Sequence, residues 1–139
     1  MEKYKYFDHT ADAKFQAYGS NLEEAFANSA LALTGIITDV SKVKPKIMKT
    51  ITVEARNEQA LLFDFLEEFI FLLDTKGFLL SQITSLKISS QEGFLLEAEV
   101  LGDNAKEHEI FTAIKAITYN EMFINKEKNL VTIQVVPDI

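Results

Sequence analysis

Two periodicities alternate along the chain. Residues 3 to 8 carry Tyr4 and Tyr6 on one face and Lys3, Lys5 and Phe7 on the other, the period-two pattern of a half-buried strand. A polar pentapeptide, Asp8-His9-Thr10-Ala11-Asp12, interrupts it. Alternation then resumes, with Ala13, Phe15 and Ala17 on the apolar side and Asp12, Lys14, Gln16 and Tyr18 on the polar side, until Gly19 ends the run. From Ser20 the period lengthens. Leu22, Ala25, Phe26, Ser29, Ala30 and Leu33 recur at helical spacing behind a Ser20/Glu23 capping box, which predicts a helix over 21–34 ended by Gly35.

A connection punctuated by Asp39, Ser41 and Pro45 leads to a third alternating segment, 47–54, with Ile51 and Val53 on its apolar face. Asn57 then caps a second helix that runs through Ala60, Leu61, Leu62, Phe65, Leu66, Phe69, Ile70 and Leu73 and ends at Lys76 and Gly77. Asp64, Glu67, Glu68 and Thr75 leave it one narrow polar stripe, so it should be covered on most sides, between sheets. Phe63, Phe69 and Phe71 on this helix belong to the core or to a partner-binding groove. The core is the better reading, because so much exposed apolar area favours aggregation.

The second half is written in strands. Residues 83–89, a turn at 90–93 and residues 94–101 predict a hairpin with Phe94, Leu96, Ala98 and Val100 on one face. Residues 102–109 read as a polar loop holding His108. The 113–119 pattern fits helix or strand, and its Ile and Thr content leans to strand. A last hairpin joins 122–125 to 130–136. Strands outnumber helices without alternating with them, so the predicted fold class is α+β: mainly antiparallel sheets packed against two helices, in one compact domain over residues 1–139 with no visible repeat or linker.

Composition narrows the chemistry. With no cysteine, disulfides, thiolate metal sites and cysteine nucleophiles are excluded, and any metal must use oxygen or histidine nitrogen. The 21 acidic against 14 basic side chains, a formal charge of -7, give no drive toward a phosphate backbone, so direct nucleic-acid binding is not expected. Lys42, Lys44, Lys46 and Lys49, with Lys126 and Lys128, form at most a local basic edge. No apolar run approaches a signal peptide or the roughly 20 residues of a membrane span, which points to the cytoplasm.

Two stretches carry candidate chemistry. In the opening pentapeptide Asp8 and Asp12 offer hard oxygen ligands and His9 can ligate a metal or move protons, while the alternative is a turn whose side chains cap their own backbone. At the other end, a strongly β-forming segment runs straight into Pro137-Asp138-Ile139. Either that strand simply finishes the sheet, or the Asp138 side chain and the main-chain carboxylate of Ile139 join Asp12 in a site for a hard cation, Mg²⁺ or Ca²⁺.

Four segments carry a resemblance. Asp8-His9-Thr10-Ala11-Asp12, Leu22-Glu23-Glu24-Ala25-Phe26, Lys115-Ala116-Ile117-Thr118-Tyr119 and Val136-Pro137-Asp138-Ile139, in that order and spacing, resemble the archease family over nearly the whole chain. The resemblance implies a small cytoplasmic accessory protein, without catalytic turnover of its own, that promotes guanylylation and multiple turnover of the GTP-dependent, metal-dependent RNA ligase of tRNA splicing. It also implies a metal site at Asp12, Asp138 and the C-terminal Ile139, with Ca²⁺ ahead of Mg²⁺, and supporting or partner-contacting roles for Asp8, His9, His108 and Tyr119. The chain departs from the family at Asn120, where a histidine is usual; an asparagine hydrogen-bonds but does not shuttle protons near neutral pH. Two other readings stand beside this one. A general chaperone or interaction module would use the Phe-rich helix. A His/Asp hydrolase would use His9, but no nucleophile motif or phosphate loop accompanies it.

Overall fold

The computed structural model describes residues 2–8 and 13–139; the expected ligand Asp12 and its neighbour His9 lie outside the described residues. The first two alternating segments form β1 (Tyr4–Phe7) and β2 (Lys14–Gly19), paired antiparallel with Tyr6 opposite Phe15. Their faces fall as the pattern predicts. Phe15 and Ala17 are fully buried, while Gln16 and Tyr18 stay on the polar side, where Tyr18 donates to Gln16 Oε1.

Helix α1 (Leu22–Ile37) begins one residue later and ends three residues later than its sequence pattern suggests. The cap is Asn21, whose side-chain oxygen accepts from the Glu24 N–H at 2.8 Å, and Glu24 reaches back to the Ser20 N–H at 2.9 Å. This is the predicted reciprocal capping moved along by one position, because Asn is at least as good a cap as Ser. Gly35 does not stop the helix. Its missing side chain makes room for β1: a Cβ there would lie 2.2 Å from the Tyr6 hydroxyl, which donates to the Ala32 carbonyl. The helix ends instead at Thr38, in extended backbone, whose hydroxyl donates to the Glu109 carbonyl.

Beyond a short 3-10 turn, β3 (Ile47–Ala55) leads to α2 (Glu58–Lys76). The Asn57 cap accepts from the Ala60 N–H, and Gly77 closes the helix in the left-handed region at φ 62°. Leu61, Leu62, Phe65 and Leu66 are fully buried. The Phe-rich helix therefore serves the core, each such side chain contributing about 2 kcal/mol or more by leaving water. Phe65 lies against Phe26 of α1 and edge-on to Phe69. Phe71 is the exception, 54% exposed on the outer side.

β4 (Phe78–Ser90) and β5 (Phe94–Asn104) form the long hairpin. It starts five residues earlier than the alternation indicates. Two bulges, between Leu80 and Gln82 and between Ile83 and Ser85, each shift the register. Bulges break the period-two signal by reversing which face a residue takes. The residues they release find other partners, Ser81 Oγ on the Val43 carbonyl and Thr84 Oγ1 on the Glu99 carbonyl. The expected polar loop at 102–109 is also corrected. Gly102, Asp103 and Asn104 complete β5, and only a 3-10 turn follows.

The chain finishes with β6 (Ala116–Ile117), β7 (Phe123–Glu127), β8 (Leu130–Val135) and β9 (Pro137–Asp138). The strand leaning of 113–119 is correct for two residues alone. Sheet order is β1-β2-β8-β7 in one antiparallel sheet, β3-β5-β4 in a second and β6-β9 in a small third. Helix α1 packs on β2, β8 and β4, and α2 on β3 and β4 with edges against α1, β6 and β7. One hydrophobic core lies between the two larger sheets and the helices, the α+β arrangement expected from the pattern. No described helix is long and apolar enough to cross a membrane.

Candidate functional site

The last residues of the chain are held by the 115–118 segment, which α2 supports in turn. β9 pairs with β6, Asp138 opposite Ala116 and Pro137 opposite Ile117. The Lys115 N–H donates to the Asp138 carbonyl at 2.7 Å, and Thr118 Oγ1 to the Val136 carbonyl at 2.8 Å. Helix α2 supports the other side of the 115–119 segment. Glu67 Oε1 accepts from the Ile117 N–H at 3.4 Å, and Tyr119 stacks on Phe63, ring centroids 4.5 Å apart and 14° from parallel. A terminus would ordinarily fray. Here its pairing with β6, which α2 supports, fixes its backbone.

Within that frame the Asp138 side chain is half-buried and makes no hydrogen bond or ion pair with another described residue. Its backbone is anchored while its carboxylate is left to bind something else. Ile139 is 39% exposed beside it, and the expected site pairs the Asp138 carboxylate with the main-chain carboxylate of Ile139. Such all-oxygen donors fit a hard cation rather than a soft transition metal. Among the described residues no three His, Asp or Glu side chains gather closely enough to hold a metal by themselves. The expected set draws on Asp12, which lies outside them, and on a main-chain carboxylate. The β2–β8 ladder ends at the Phe15–Val135 pair, and Asp138 follows Val135 by three residues in the sequence.

The remaining expected residues are dispersed. Asp8 is exposed directly after β1. Tyr119 is 55% exposed above its stacking partner, and Asn120 is exposed with its N–H on Thr118 Oγ1. His108 belongs to a different place: its Nε2 is 3.0 Å from Asp103 Oδ2, both side chains more than 90% buried, at a cavity of about 300 Å³ that Lys42, Lys44 and Lys46 also line. The basic cluster of the sequence thus surrounds the His108–Asp103 pair and not the C-terminus. The hydrogen bond from His108, helped by the Asn104 N–H, holds the Asp103 carboxyl below the ordinary carboxylate range against the opposing effect of burial. A depressed carboxylate contributes stability above its unfolded value near 4 and loses that contribution as pH falls through the folded one. Asp103→Asn is therefore expected to lower the urea midpoint at pH 7, with the gap to the parent closing below about pH 4. An equal gap at pH 7 and pH 3 would show that the carboxylate charge is not involved.

Lys115 bonds the terminal strand directly and Glu67 supports it through Ile117, yet neither role is legible in the sequence. Glu67 falls in the polar stripe of the second helix, which reads as solvent-facing, and its contact is fifty residues away in the chain, while Lys115 enters only as part of the Lys115–Tyr119 motif. The same stripe lines a cleft of about 600 Å³ with Asp64, Glu68, Asp74, Phe71 and Lys115, where burial raises the Glu68 carboxyl.

Two antiparallel sheets packed with two helices, and a short last strand paired with β6, define a small α+β protein. The chain belongs to the archease family: the model of the Archease protein family matches residues 4–139. Protein archease of Thermococcus kodakarensis is 38% identical over 128 residues, covering 91% of this chain and 90% of that one. The solution structure of protein 1598 from Methanobacterium thermoautotrophicum is similar over the full length of both chains, with a TM-score of 0.85 and 34% identity. A Thermotoga maritima crystal structure described as an archease and possible chaperone shares the fold at a TM-score of 0.58 and 19% identity, over 97% of this chain and 96% of that one.

Proposed function

We propose that this chain is an accessory protein that activates a GTP-dependent RNA ligase of tRNA splicing in the cytoplasm, promoting its guanylylation and multiple turnover without catalytic turnover of its own. The observation that carries the reading is the anchored terminus: an archease whose Asp138 carboxylate has no described protein partner while its backbone is bonded to the 115–116 segment. The carboxylates of Asp12, Asp138 and Ile139 hold a divalent cation, Ca²⁺ ahead of Mg²⁺. Bound there, the cation offers a hard Lewis-acidic centre to a carboxylate or phosphate oxygen of the partner. The chain's own part is positional: the β6–β9 pairing, supported by α2, fixes where Asp138 and Ile139 stand, and Tyr119 and Asp8 offer exposed polar groups to the partner. A net charge of -7 suits an activator that touches the ligase and leaves the RNA to it.

The test is ligase turnover measured with and without this protein, using the parent and Asp12→Ala. Stimulation by the parent that Asp12→Ala loses is the expected result. Full stimulation by Asp12→Ala would remove the cation site from the mechanism, and no stimulation by the parent would remove the ligase.

A further inference from the structure

At the far end of α1, a small cleft of about 270 Å³ opens where β1 crosses the helix, lined by Tyr4, Tyr6, Gly35, Thr38, Asp39 and Phe111. Its walls are fixed. The Tyr6 hydroxyl is bonded to the Ala32 carbonyl over the bare Cα of Gly35, and the Phe111 N–H donates to the Ile37 carbonyl at 2.7 Å. The Tyr4 and Tyr6 rings meet edge-on with centroids 5.5 Å apart. Nevertheless Tyr6 is 44% and Phe111 55% exposed, so aromatic surface that could have joined the core faces water around the opening.

Three independent features give this cleft the same electrostatic sign. Aromatic ring faces are negative and attract cations. The C-terminal end of α1 carries the partial negative charge of the helix dipole, and its last turn contains no basic residue to offset it. Asp39 adds a full charge: its Oδ1 accepts from the Ser41 N–H and hydroxyl, which keeps the carboxyl below the ordinary range, and Oδ2 stays unengaged. No Lys or Arg lines the cleft; Lys42 acts on Asp39 from outside it.

A hard dication would need several oxygens where there is one carboxylate, and the volume falls below the range usual for cofactors and metabolites. A planar, weakly hydrated cation on an aliphatic stem meets all the terms, since a guanidinium stacks on tyrosine and phenylalanine faces and pairs with a single carboxylate edge. We propose that this cleft is a docking site for an arginine side chain presented by a partner protein. It stands apart from the C-terminal site and does not depend on the ligase reading.

The test is an amide chemical-shift titration of the intact protein with a blocked Gly-Arg-Gly peptide, with the same peptide carrying neutral citrulline, and with free arginine. Saturable shifts at Gly35, Thr38, Asp39 and Phe111 with the arginine peptide, weaker with citrulline, are expected. Phe111→Ala should weaken binding about 2- to 5-fold, from the strength of an exposed cation–π contact, and Asp39→Asn, which keeps the turn cap, should reduce the preference over citrulline. Equal responses to arginine and citrulline, or shifts that never saturate, would overturn the site. Free arginine binding as tightly as the peptide would overturn the partner-protein occupant.

Discussion

Asp138→Ala is expected to abolish stimulation of the ligase, returning turnover to the level seen without this protein, while the thermal midpoint stays close to that of the parent. The two halves of that expectation come from different atoms of one residue. Stability rests on the Asp138 backbone, which pairs with Ala116 and accepts from the Lys115 N–H, and alanine keeps both. In the proposed reading function rests on the carboxylate, which no described residue engages by hydrogen bond or ion pair, so its removal breaks no such bond among the described residues. Direct titration of the purified protein with Ca²⁺ should show affinity falling by 10-fold or more, on the order of what metal sites lose when even a supporting group is removed. A protein carrying one residue after Ile139 should behave the same way by displacing the main-chain carboxylate. If Asp138→Ala still stimulates turnover, the anchored terminus is structural alone.

The largest stability effect should come from Gly102→Ala. Gly102 sits in β5 between Ile47 of β3 and Leu80 of β4, hydrogen-bonded across both ladders. A Cβ there would lie 2.0 Å from the Leu79 carbonyl oxygen and 2.6 Å from the Phe78 ring. The nearest obstruction is backbone, in a strand paired with β5 itself, and the Phe78 ring beside it is buried, so neither partner can swing aside. Overpacking a core usually costs about 1–3 kcal/mol. This substitution should reach about 3 kcal/mol or more, because relief requires breaking the β4–β5 ladder next to its bulge. Urea denaturation read by circular dichroism checks it; a loss under about 1 kcal/mol would mean that the hairpin shifts register more easily than its pairing suggests.

How far the sequence foretells the molecule depends on how local each signal is. The faces of β1, β2, β3 and β5, the Asn57 cap and the Gly77 stop are set by neighbours a few residues away, and all are readable. Gly35 misleads because its reason is Tyr6, a residue of another element that needs the space a Cβ would fill. The start of β4 is hidden because two bulges scramble the alternation that defines a strand. The 115–119 segment gives an ambiguous pattern because it owes its conformation to Val136, Asp138 and Glu67 rather than to its own period. The candidate site is legible as residue types and a family resemblance, but the clamp on β9 is not, since nothing in Lys115 or Glu67 announces a distant backbone partner. His108 likewise gives no hint of Asp103, whose burial follows only once β5 is seen to run on to Asn104.

The pairing of β2 with β8 bears on how the molecule comes into being. Residues 14–19 are made early and find their neighbours only at 131–135, almost at the end of the chain. Throughout synthesis β2 can pair with β1 on one side alone, leaving its other edge open and its apolar face, Phe15 and Ala17, only partly covered by α1. Contacts so distant in sequence are slow to form, and an open edge invites strands from other chains. Residues 131–138, which complete the sheet and pair β9 with β6, thus act as a late step of assembly, and a chain cut short before Val131 carries an unfinished edge that neighbouring molecules can occupy.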